Sequence, residues 1–354
     1  MFHEPNSAFL LRIRLLPSLL TQFLLTKSKL FISPNQYTYA NQHGENMAIK
    51  DKEIIVTGGA GFIGSNLVSA LAKDNSVTVI DNMHTGTEAN LAEDIKNNNV
   101  RLLKVDSKEI SKANIDPDYI FHLGMYSSTP MYKEDNNRVH EVVEGAVKLF
   151  KYAIEKNAKT VFISSSSLYN GLDMPYSEDL LPKVTDFYTE ARYYVERLAE
   201  LYSKLYGLDA TGIRLFSVYG KREENKKQYA NLVTQFIWAL RDNQPAVIYG
   251  DGSQTRDFTN ASDVVSAAIL ASSYKGYDIF NVGTGKSYSL NDTVKKINEL
   301  SGRELKVQYI PNKISNYVAH TLADTRKSKE KLGFEAKINL DDGIKELLNH
   351  YGIN

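Results

Sequence analysis

Short apolar runs rich in β-branched residues alternate with amphipathic segments along most of the chain. All but the last of these runs stop at a Gly, Asp or Ser, a pattern typical of strands that lead into loops. The predicted strands are Ile54–Thr57, Val77–Ile80, Arg101–Val105, Asp118–Leu123, Thr160–Ile163 and Ala210–Leu215. Helical periodicity begins at Ser65 and covers about Arg138–Lys156 and Phe187–Tyr206. Repeated strand–helix units predict an α/β fold with a parallel, doubly wound sheet, which binds ligands at the carboxyl ends of its strands.

A glycine-rich turn follows the first predicted strand. Gly58, Gly61 and Gly64 lead directly into a helical pattern. Residues without Cβ let backbone N–H groups approach a diphosphate at the positive end of a helix. Asp81 ends the second strand, at the distance where a carboxylate accepts hydrogen bonds from an adenosine ribose. We therefore predict a Rossmann-like fold that binds NAD rather than NADP, because a 2′-phosphate would meet the carboxylate of Asp81.

The pattern becomes less regular after Phe216. Two Gly-containing turns and helices near Leu290–Leu300 and Asp341–His350 predict a smaller mixed α/β domain that holds the substrate. We expect an NAD-binding domain of residues 47–216 with about 261–281, and a substrate domain of residues 217–260 and 282–354.

Residues 1–46 differ from the rest because they are Leu-rich, basic and poor in acids. The apolar stretch is too short and too charged for a membrane span. We expect an extension that is poorly ordered and has no catalytic role. It is either a targeting peptide or non-native sequence ahead of Met47.

Composition narrows the function further. The 354 residues carry 42 acidic and 42 basic side chains, so the formal net charge is zero and neither nucleic acid nor an anionic membrane is an expected partner. There is no cysteine, which excludes disulfides, thiolate metal sites and a Cys nucleophile. The seven histidines lack metal-ligand spacing, so we predict no metal. We expect a cytoplasmic protein.

Six motifs, in their order and spacing, resemble the extended short-chain dehydrogenases. Within that family they are most similar to the NAD-dependent nucleotide-sugar epimerases of the UDP-glucose 4-epimerase type. The motifs are residues 57–65, 79–82, 121–124, 164–169, 214–220 and 250–258. The resemblance extends from Met47 to the C-terminus. It implies a homodimer that pairs through the helices Arg138–Lys156 and Phe187–Tyr206, although core packing also explains apolar positions such as Val195, Leu198, Leu201 and Tyr202.

The resemblance also implies catalytic residues. The family uses a tyrosinate base in a Tyr-x-x-x-Lys helix and a nearby Ser or Thr. The literal match, Tyr152 to Lys156, lies in a helix on the flank of the sheet and is interpreted as accidental. The family position falls on Tyr188, with Arg192 where Lys is usual and Ser165 as the hydroxyl partner. Arg keeps the positive charge that favours phenolate, but its planar guanidinium is a non-conservative replacement.

Binding residues follow from the same motif matches. The implied cofactor contacts are Gly58, Gly61, Phe62, Ile63, Asp81, Asn82, Gly86, Asp106, Ser107, Leu123, Gly124, Tyr188 and Arg192. The implied substrate contacts are Ser128, Ser165, Ser217, Asn231, Leu232, Val247, Tyr249, Arg256 and Thr321. Arg256 is the expected diphosphate ligand, because a guanidinium matches phosphate oxygens bidentately. Thr321 stands where a bulky residue excludes N-acetyl groups in the family, so it indicates room for a 2-acetamido sugar.

The serine stretch helps to choose the reaction. Related dehydratases and decarboxylases carry an acid one or two residues after the catalytic Ser or Thr, whereas Ser166 and Ser167 occupy those positions here. This favours 4-epimerisation of UDP-glucose and UDP-galactose, or their N-acetyl forms, through a 4-keto sugar. Dehydration, decarboxylation, 3,5-epimerisation or an impaired NAD-binding regulator remain alternatives. We interpret His122 as structural and the charged run Lys221–Lys227 as a solvated loop.

Overall fold

The centre of the protein is a parallel sheet of buried strands. The computed structural model describes residues 49–97, 99–313 and 317–353. Its strands are β1 Glu53–Thr57, β2 Ser76–Ile80, β3 Val100–Leu103, β4 Tyr119–His122, β5 Lys159–Ser165, β6 Ala210–Leu215, β7 Val218–Tyr219, β8 Ala246–Tyr249, β9 Thr255–Arg256, β10 Thr259–Asn260, β11 Asp278–Val282, β12 Tyr288–Ser289 and β13 Val307–Ile310. Its α-helices are α1 Phe62–Leu71, α2 Ala92–Asn97, α3 Thr129–Glu134, α4 Arg138–Lys156, α5 Phe187–Tyr206, α6 Leu232–Arg241, α7 Ala261–Ala271, α8 Leu290–Ser301, α9 Arg326–Leu332 and α10 Leu340–His350.

The main sheet has seven strands in the order β3-β2-β1-β4-β5-β6-β11. All of its pairings are parallel. The strand order reverses between β1 and β4, and ligands bind outside the carboxyl ends of strands at such a point. The doubly wound α/β fold predicted from the sequence is confirmed.

Both faces of the sheet are covered by helices. Along β1, Ile54 and Val56 join one hydrophobic cluster with residues of α1 and α7. Ile55 joins the cluster on the opposite face with residues of α4 and α5. Because successive side chains of a strand point to opposite faces, burial of both faces requires an unbroken apolar run.

Most element boundaries agree with the sequence pattern, and two differ. Helix α1 begins at Phe62, three residues before Ser65, because Gly61 is its N-terminal cap. Strand β3 ends at Leu103 rather than Val105, because Asp106 caps a 3₁₀ turn over Ser107–Ala113. In both cases the local hydrogen bonds of a cap, which periodicity does not report, fix the boundary.

The region after Phe216 contains a third hydrophobic cluster, formed largely by α6, α8 and α10. The expected domain boundaries stay a prediction. The expected N-terminal extension, residues 1–46, lies outside the described residues. None of the helices in the described part of the chain is both long and apolar enough to cross a membrane.

Candidate functional site

The glycine turn after β1 is tightly constrained. Gly58 has φ +69°, and a Cβ on it would lie 2.7 Å from the amide nitrogen of Gly124. A Cβ on Gly64 would lie 2.0 Å from the carbonyl oxygen of Gly58. The first bond into α1 runs from Ser65 N to Gly61 O, so the N–H groups of Phe62 and Ile63 precede it. Such helix-terminal N–H groups are ready donors for a diphosphate.

Asp81 lies beside this turn at the end of β2. Its carboxylate accepts hydrogen bonds from the backbone N–H of Ala60 at 3.0 Å and of Met83 at 2.8 Å. Burial raises the pKa of Asp81, and these hydrogen bonds act in the opposite direction. Gly86 packs against the carboxylate, since a Cβ there would lie 2.8 Å from Oδ1.

These groups open onto a crevice at the carboxyl ends of the strands. Most of the predicted cofactor contacts line it: Gly58, Gly61, Phe62, Ile63, Asp81, Asn82, Asp106, Ser107, Leu123, Gly124 and Arg192. Asn82 also donates a hydrogen bond to Asp106 at 3.1 Å. The Cβ-free turn and the acidic end of β2 fit the diphosphate and the ribose of a dinucleotide.

A larger cavity of about 950 Å³ adjoins the crevice. The predicted residues that line it are Phe62, Ile63, Ser165, Tyr188, Arg192, Ser217, Asn231, Arg256 and Thr321. Six residues line both spaces: Phe62, Ile63, Ser127, Ile163, Arg192 and Lys226. The two spaces therefore share a wall at the end of β5.

Helix α5 presents Tyr188 and Arg192 at this junction. Its first turn is fixed by a capping box between Asp186 and Thr189. The two candidates lie one turn apart on one face, and the guanidinium carbon of Arg192 is 5.2 Å from the centroid of the Tyr188 ring. Tyr188 lines the large cavity, whereas Arg192 lines both spaces.

The guanidinium of Arg192 is buried and held by backbone carbonyls. Nη1 donates to the carbonyl oxygen of Ile163 at 3.1 Å, and Nη2 donates to that of Tyr126 at 2.8 Å. Among the described residues Nε has no partner and Arg192 has no carboxylate neighbour in an ion pair. Arg192 thus places a buried positive charge, with one unpaired donor, in the wall between the two spaces.

Ser165 is the last residue of β5 and its side chain is buried. Its Oγ accepts a hydrogen bond from Ser167 N at 3.1 Å and caps the 3₁₀ turn Ser166–Tyr169. Since Oγ can also donate, the hydroxyl can serve the cavity while it caps the turn.

His122 lies behind this site in the sheet. Its Nδ1 is 2.7 Å from Thr57 Oγ1, and its ring is fully buried. Burial, and secondly the positive charge of Arg192, lower the pKa of His122 to about 3. The neutral, hydrogen-bonded ring agrees with the structural role expected from the sequence.

The remaining wall of the large cavity comes from the region after Phe216. Arg256 donates to the carbonyl oxygens of Val318 at 2.5 Å and Ala319 at 3.0 Å, and burial lowers its pKa. Asn231 caps α6. Thr321 Oγ1 accepts a hydrogen bond from Asp257 N at 3.0 Å. Ser217 has φ +30° and also faces the cavity.

Several predicted contacts lie outside the two linings. Val247 and Tyr249 are exposed because β8 alternates, with Ala246 and Ile248 facing the third cluster. Leu232 packs against that cluster, and Ser128 Oγ is buried without a described partner. Gly86 does not line the crevice, but it packs against the carboxylate of Asp81, which does. The implied substrate contacts of Val247 and Tyr249 stay a prediction.

The prediction of a solvated loop for Lys221–Lys227 is wrong at two positions. Glu223 is fully buried, and its carboxylate accepts hydrogen bonds from Asn231 N at 2.7 Å and Thr234 Oγ1 at 2.6 Å. It also pairs with Lys226 at 2.9 Å, and Lys226 lines both spaces. No signal in the sequence distinguishes these two side chains from their charged neighbours, because their partners come from other elements.

Comparison with known proteins agrees with this geometry. Residues 54–283 match the NAD dependent epimerase/dehydratase family. A UDP-N-acetylglucosamine 4-epimerase from Methanobrevibacter ruminantium M1, in complex with UDP-N-acetylmuramic acid, superposes with TM-score 0.79 at 31% identity, covering 85% of this chain and 100% of that chain. A UDP-glucose 4-epimerase with UDP-glucose from Thermotoga maritima gives TM-score 0.78 at 30% identity, covering 85% and 98%. A UDP-N-acetyl-alpha-D-glucosaminuronate decarboxylase from Bacillus cytotoxicus is 28% identical, covering 85% of this chain and 98% of its own length.

Proposed function

The chain belongs to the NAD-dependent epimerase/dehydratase family, and from that premise we propose that it interconverts UDP-hexoses at C4, either UDP-glucose and UDP-galactose or their N-acetyl forms. NAD is its cofactor. The observation that carries the proposal is that Ser165, Tyr188 and Arg192 all line the large cavity, and that Arg192 also lines the crevice.

The residues of the crevice account for NAD binding. The N–H groups at the start of α1 would hold the diphosphate, and Asp81 would accept hydrogen bonds from the adenosine ribose. When bound, NAD supplies reversible two-electron oxidation at the sugar C4. The glycine turn supports this assignment because Gly58, with φ +69°, packs directly on the backbone of Gly124 at the floor of the crevice, which only a residue without Cβ allows.

The chain itself supplies the proton transfers. Tyr188 Oη would take the proton from the C4 hydroxyl and later return it, with Ser165 Oγ as a hydrogen-bond partner on the same path. The guanidinium carbon of Arg192 lies 5.2 Å from the centroid of the Tyr188 ring, so a permanent positive charge stands beside the proposed base. Arg192 also lines the crevice, so we place its guanidinium near the ribose next to the reacting ring of the cofactor.

The large cavity would hold the nucleotide sugar. Arg256 is half-buried at its wall without a carboxylate partner among the described residues, so a diphosphate could exchange with the carbonyls of Val318 and Ala319. Asn231 lies on the same wall. Thr321 is small and faces the cavity, which supports room for a 2-acetamido group.

A second candidate is decarboxylation of a UDP-uronic acid at the same site. It is supported by the Bacillus cytotoxicus relative, whose name is that of such a decarboxylase. Against it, Ser166 and Ser167 line the cavity without a carboxylate where related decarboxylases carry an acid. We therefore rank epimerisation first.

The test follows the anomeric protons by NMR. The full chain is incubated with NAD⁺ and, separately, UDP-glucose, UDP-N-acetylglucosamine and UDP-glucuronic acid. We expect the 4-epimer of a neutral sugar, a rate about 10²- to 10⁴-fold lower in Tyr188→Phe, and no such loss in Tyr194→Phe, whose ring is exposed. Formation of a pentose would favour decarboxylation. NAD binding without conversion of any sugar would favour an impaired enzyme.

We further propose a homodimer through α4 and α5. The apolar side chains of α5 do not all face the same surroundings. Val195 is buried in the core, whereas Leu201 is 44% exposed and Leu205 is 66% exposed. Leu201 and Leu205 lie one turn apart on the same face of α5, and an apolar patch of exposed neighbours, unlike a single exposed leucine, is a feature of interaction surfaces. Light scattering should show a dimer in the wild type and a monomer in Leu201→Asp/Leu205→Asp. A monomeric wild type would contradict this.

A further inference from the structure

The segment from Lys221 to Asn231 crosses from the region after Phe216 to the NAD crevice. Arg222 Nη1 donates to the carbonyl oxygen of Ser65 at 2.7 Å, and Asn66 Nδ2 donates to that of Lys221 at 3.1 Å. Both Ser65 and Asn66 belong to α1. The segment is therefore anchored directly on the helix whose N-terminus faces the diphosphate position.

Within this segment, Glu223 fixes the side chain of Lys226. Glu223 Oε1 accepts hydrogen bonds from Lys226 Nζ and Asn231 N, and Oε2 accepts one from Thr234 Oγ1. An ammonium has three donors, and Glu223 uses one of them. Because the charge of the carboxylate is shared among three donors, the ammonium keeps capacity for a further anion.

The ammonium of Lys226 lies 5.2 Å from the centroid of the Phe62 ring. Phe62 is the first residue of α1, and both residues line the crevice and the large cavity. Among the described residues of the crevice, the permanently positive side chains are Arg192 and Lys226. Two donors of Arg192 are already used by Ile163 and Tyr126, so Lys226 is the cation near the start of α1.

We propose that Lys226 binds an oxygen of a diphosphate in the completed site, and its position beside Phe62 assigns it to the diphosphate of NAD. The inference rests on the NAD binding used in the proposed function. A cation beside the helix N–H groups stabilises an enclosed diphosphate further, because burial removes the water that screens its charge. Lys226 thus adds a positive charge beside the start of α1, and the nucleotide sugar is the other possible source of the diphosphate.

The experiment measures binding rather than turnover, by titration calorimetry of the full chain stripped of nucleotide. NAD⁺ and UDP are titrated separately into the wild type, Lys226→Met and Lys226→Arg. Lys227→Met is the matched control, because its side chain is adjacent, exposed and of the same charge. We expect the Kd for NAD⁺ to rise about 10- to 100-fold in Lys226→Met only. The affinity of the wild type should also fall more steeply with added KCl than that of Lys226→Met.

Each other result overturns part of the proposal. If Lys226→Met binds UDP more weakly and NAD⁺ as tightly as the wild type does, the assignment to NAD is wrong. Lys226 would then contact the diphosphate of the nucleotide sugar. Unchanged affinity for both ligands in Lys226→Met would overturn it entirely, and so would equal losses in Lys226→Arg and Lys226→Met, which indicate packing rather than charge. Since no turnover is measured, failure of the wild type to epimerise any sugar would leave this test intact.

Discussion

Arg192 on α5 and Arg214 on β6 are both buried, but their surroundings differ. Arg214 on β6 forms a two-point pair with Glu196 of α5, at 2.9 and 2.6 Å, and donates to Tyr169 Oη at 2.7 Å. Ser164 adds a fourth member to this network by donating to Glu196 at 2.5 Å. Arg192, four residues before Glu196 on the same helix, has two backbone carbonyls, no carboxylate among the described residues, and a free Nε.

The difference separates a structural cation from a functional one. The charge of Arg214 is already balanced by a buried carboxylate, so this arginine has little tendency to bind a further anion. An incompletely satisfied buried donor costs free energy of folding unless something else binds it, and such donors concentrate at functional sites. The comparison predicts that changes at Arg214 act on stability, whereas changes at Arg192 act on activity.

The largest expected effect is on stability, at Arg214. Arg214→Met should lower the free energy of unfolding by about 3–5 kcal/mol, because Glu196 is left buried without a partner. Urea unfolding followed by circular dichroism measures it, with Arg192→Met as the control expected to lose less. Equal losses in the two variants would break the comparison.

Arg192→Met should chiefly reduce activity. We expect kcat to fall about 10²- to 10³-fold, because the variant removes a preorganised charge beside Tyr188. Sugar conversion by NMR gives kcat, and the free energy of unfolding is measured on the same samples. A fully active Arg192→Met would show that this guanidinium is structural, like that of Arg214.

Acidification should destabilise the protein through His122, the histidine that the charge of Arg192 affects. Its pKa is about 3 when folded and 6.5 in the reference state, so below pH 6.5 the unfolded chain binds a proton that the folded protein does not. The free energy of unfolding should therefore fall by about 2 kcal/mol between pH 7 and pH 5 from this group alone. Urea unfolding at pH 7 and pH 5 measures this fall in the free energy of unfolding. In His122→Asn the contribution of about 2 kcal/mol from His122 should be absent. The same fall in His122→Asn would assign it to other groups.

The smallest effect is expected for Arg192→Lys. Lys keeps the charge but cannot bond the carbonyls of Ile163 and Tyr126 in the same fork geometry. We expect kcat within about tenfold of the wild type, equivalent to about 1.4 kcal/mol of barrier. An increase of kcat by more than 100-fold in Arg192→Lys would instead show that Arg192 impairs the wild-type enzyme.

Much of the cofactor half of the site could be predicted from sequence. Gly58, Gly64 and Asp81 lie at the positions that the strand–turn–helix pattern requires, because a close approach and a ribose acceptor each need one residue type. Tyr188 and Arg192 follow from the resemblance to the family rather than from spacing alone, because Tyr152 and Lys156 have the same spacing. Lys226 could not be predicted, since its partners Glu223 and Phe62 become neighbours only through folding of the segment onto α1.

The sequence by itself determined the order of strands and helices, the Cβ-free turn and the tyrosine–arginine spacing, because periodicity and backbone sterics act over a few residues. The tertiary structure decided which charges are satisfied and which face a cavity. Arg222 and Ser65 are 157 residues apart along the chain and are joined by one hydrogen bond. Burial and electrostatic environment depend on such long-range contacts, so Glu223, Lys226 and the free Nε of Arg192 acquire their roles only in the folded protein.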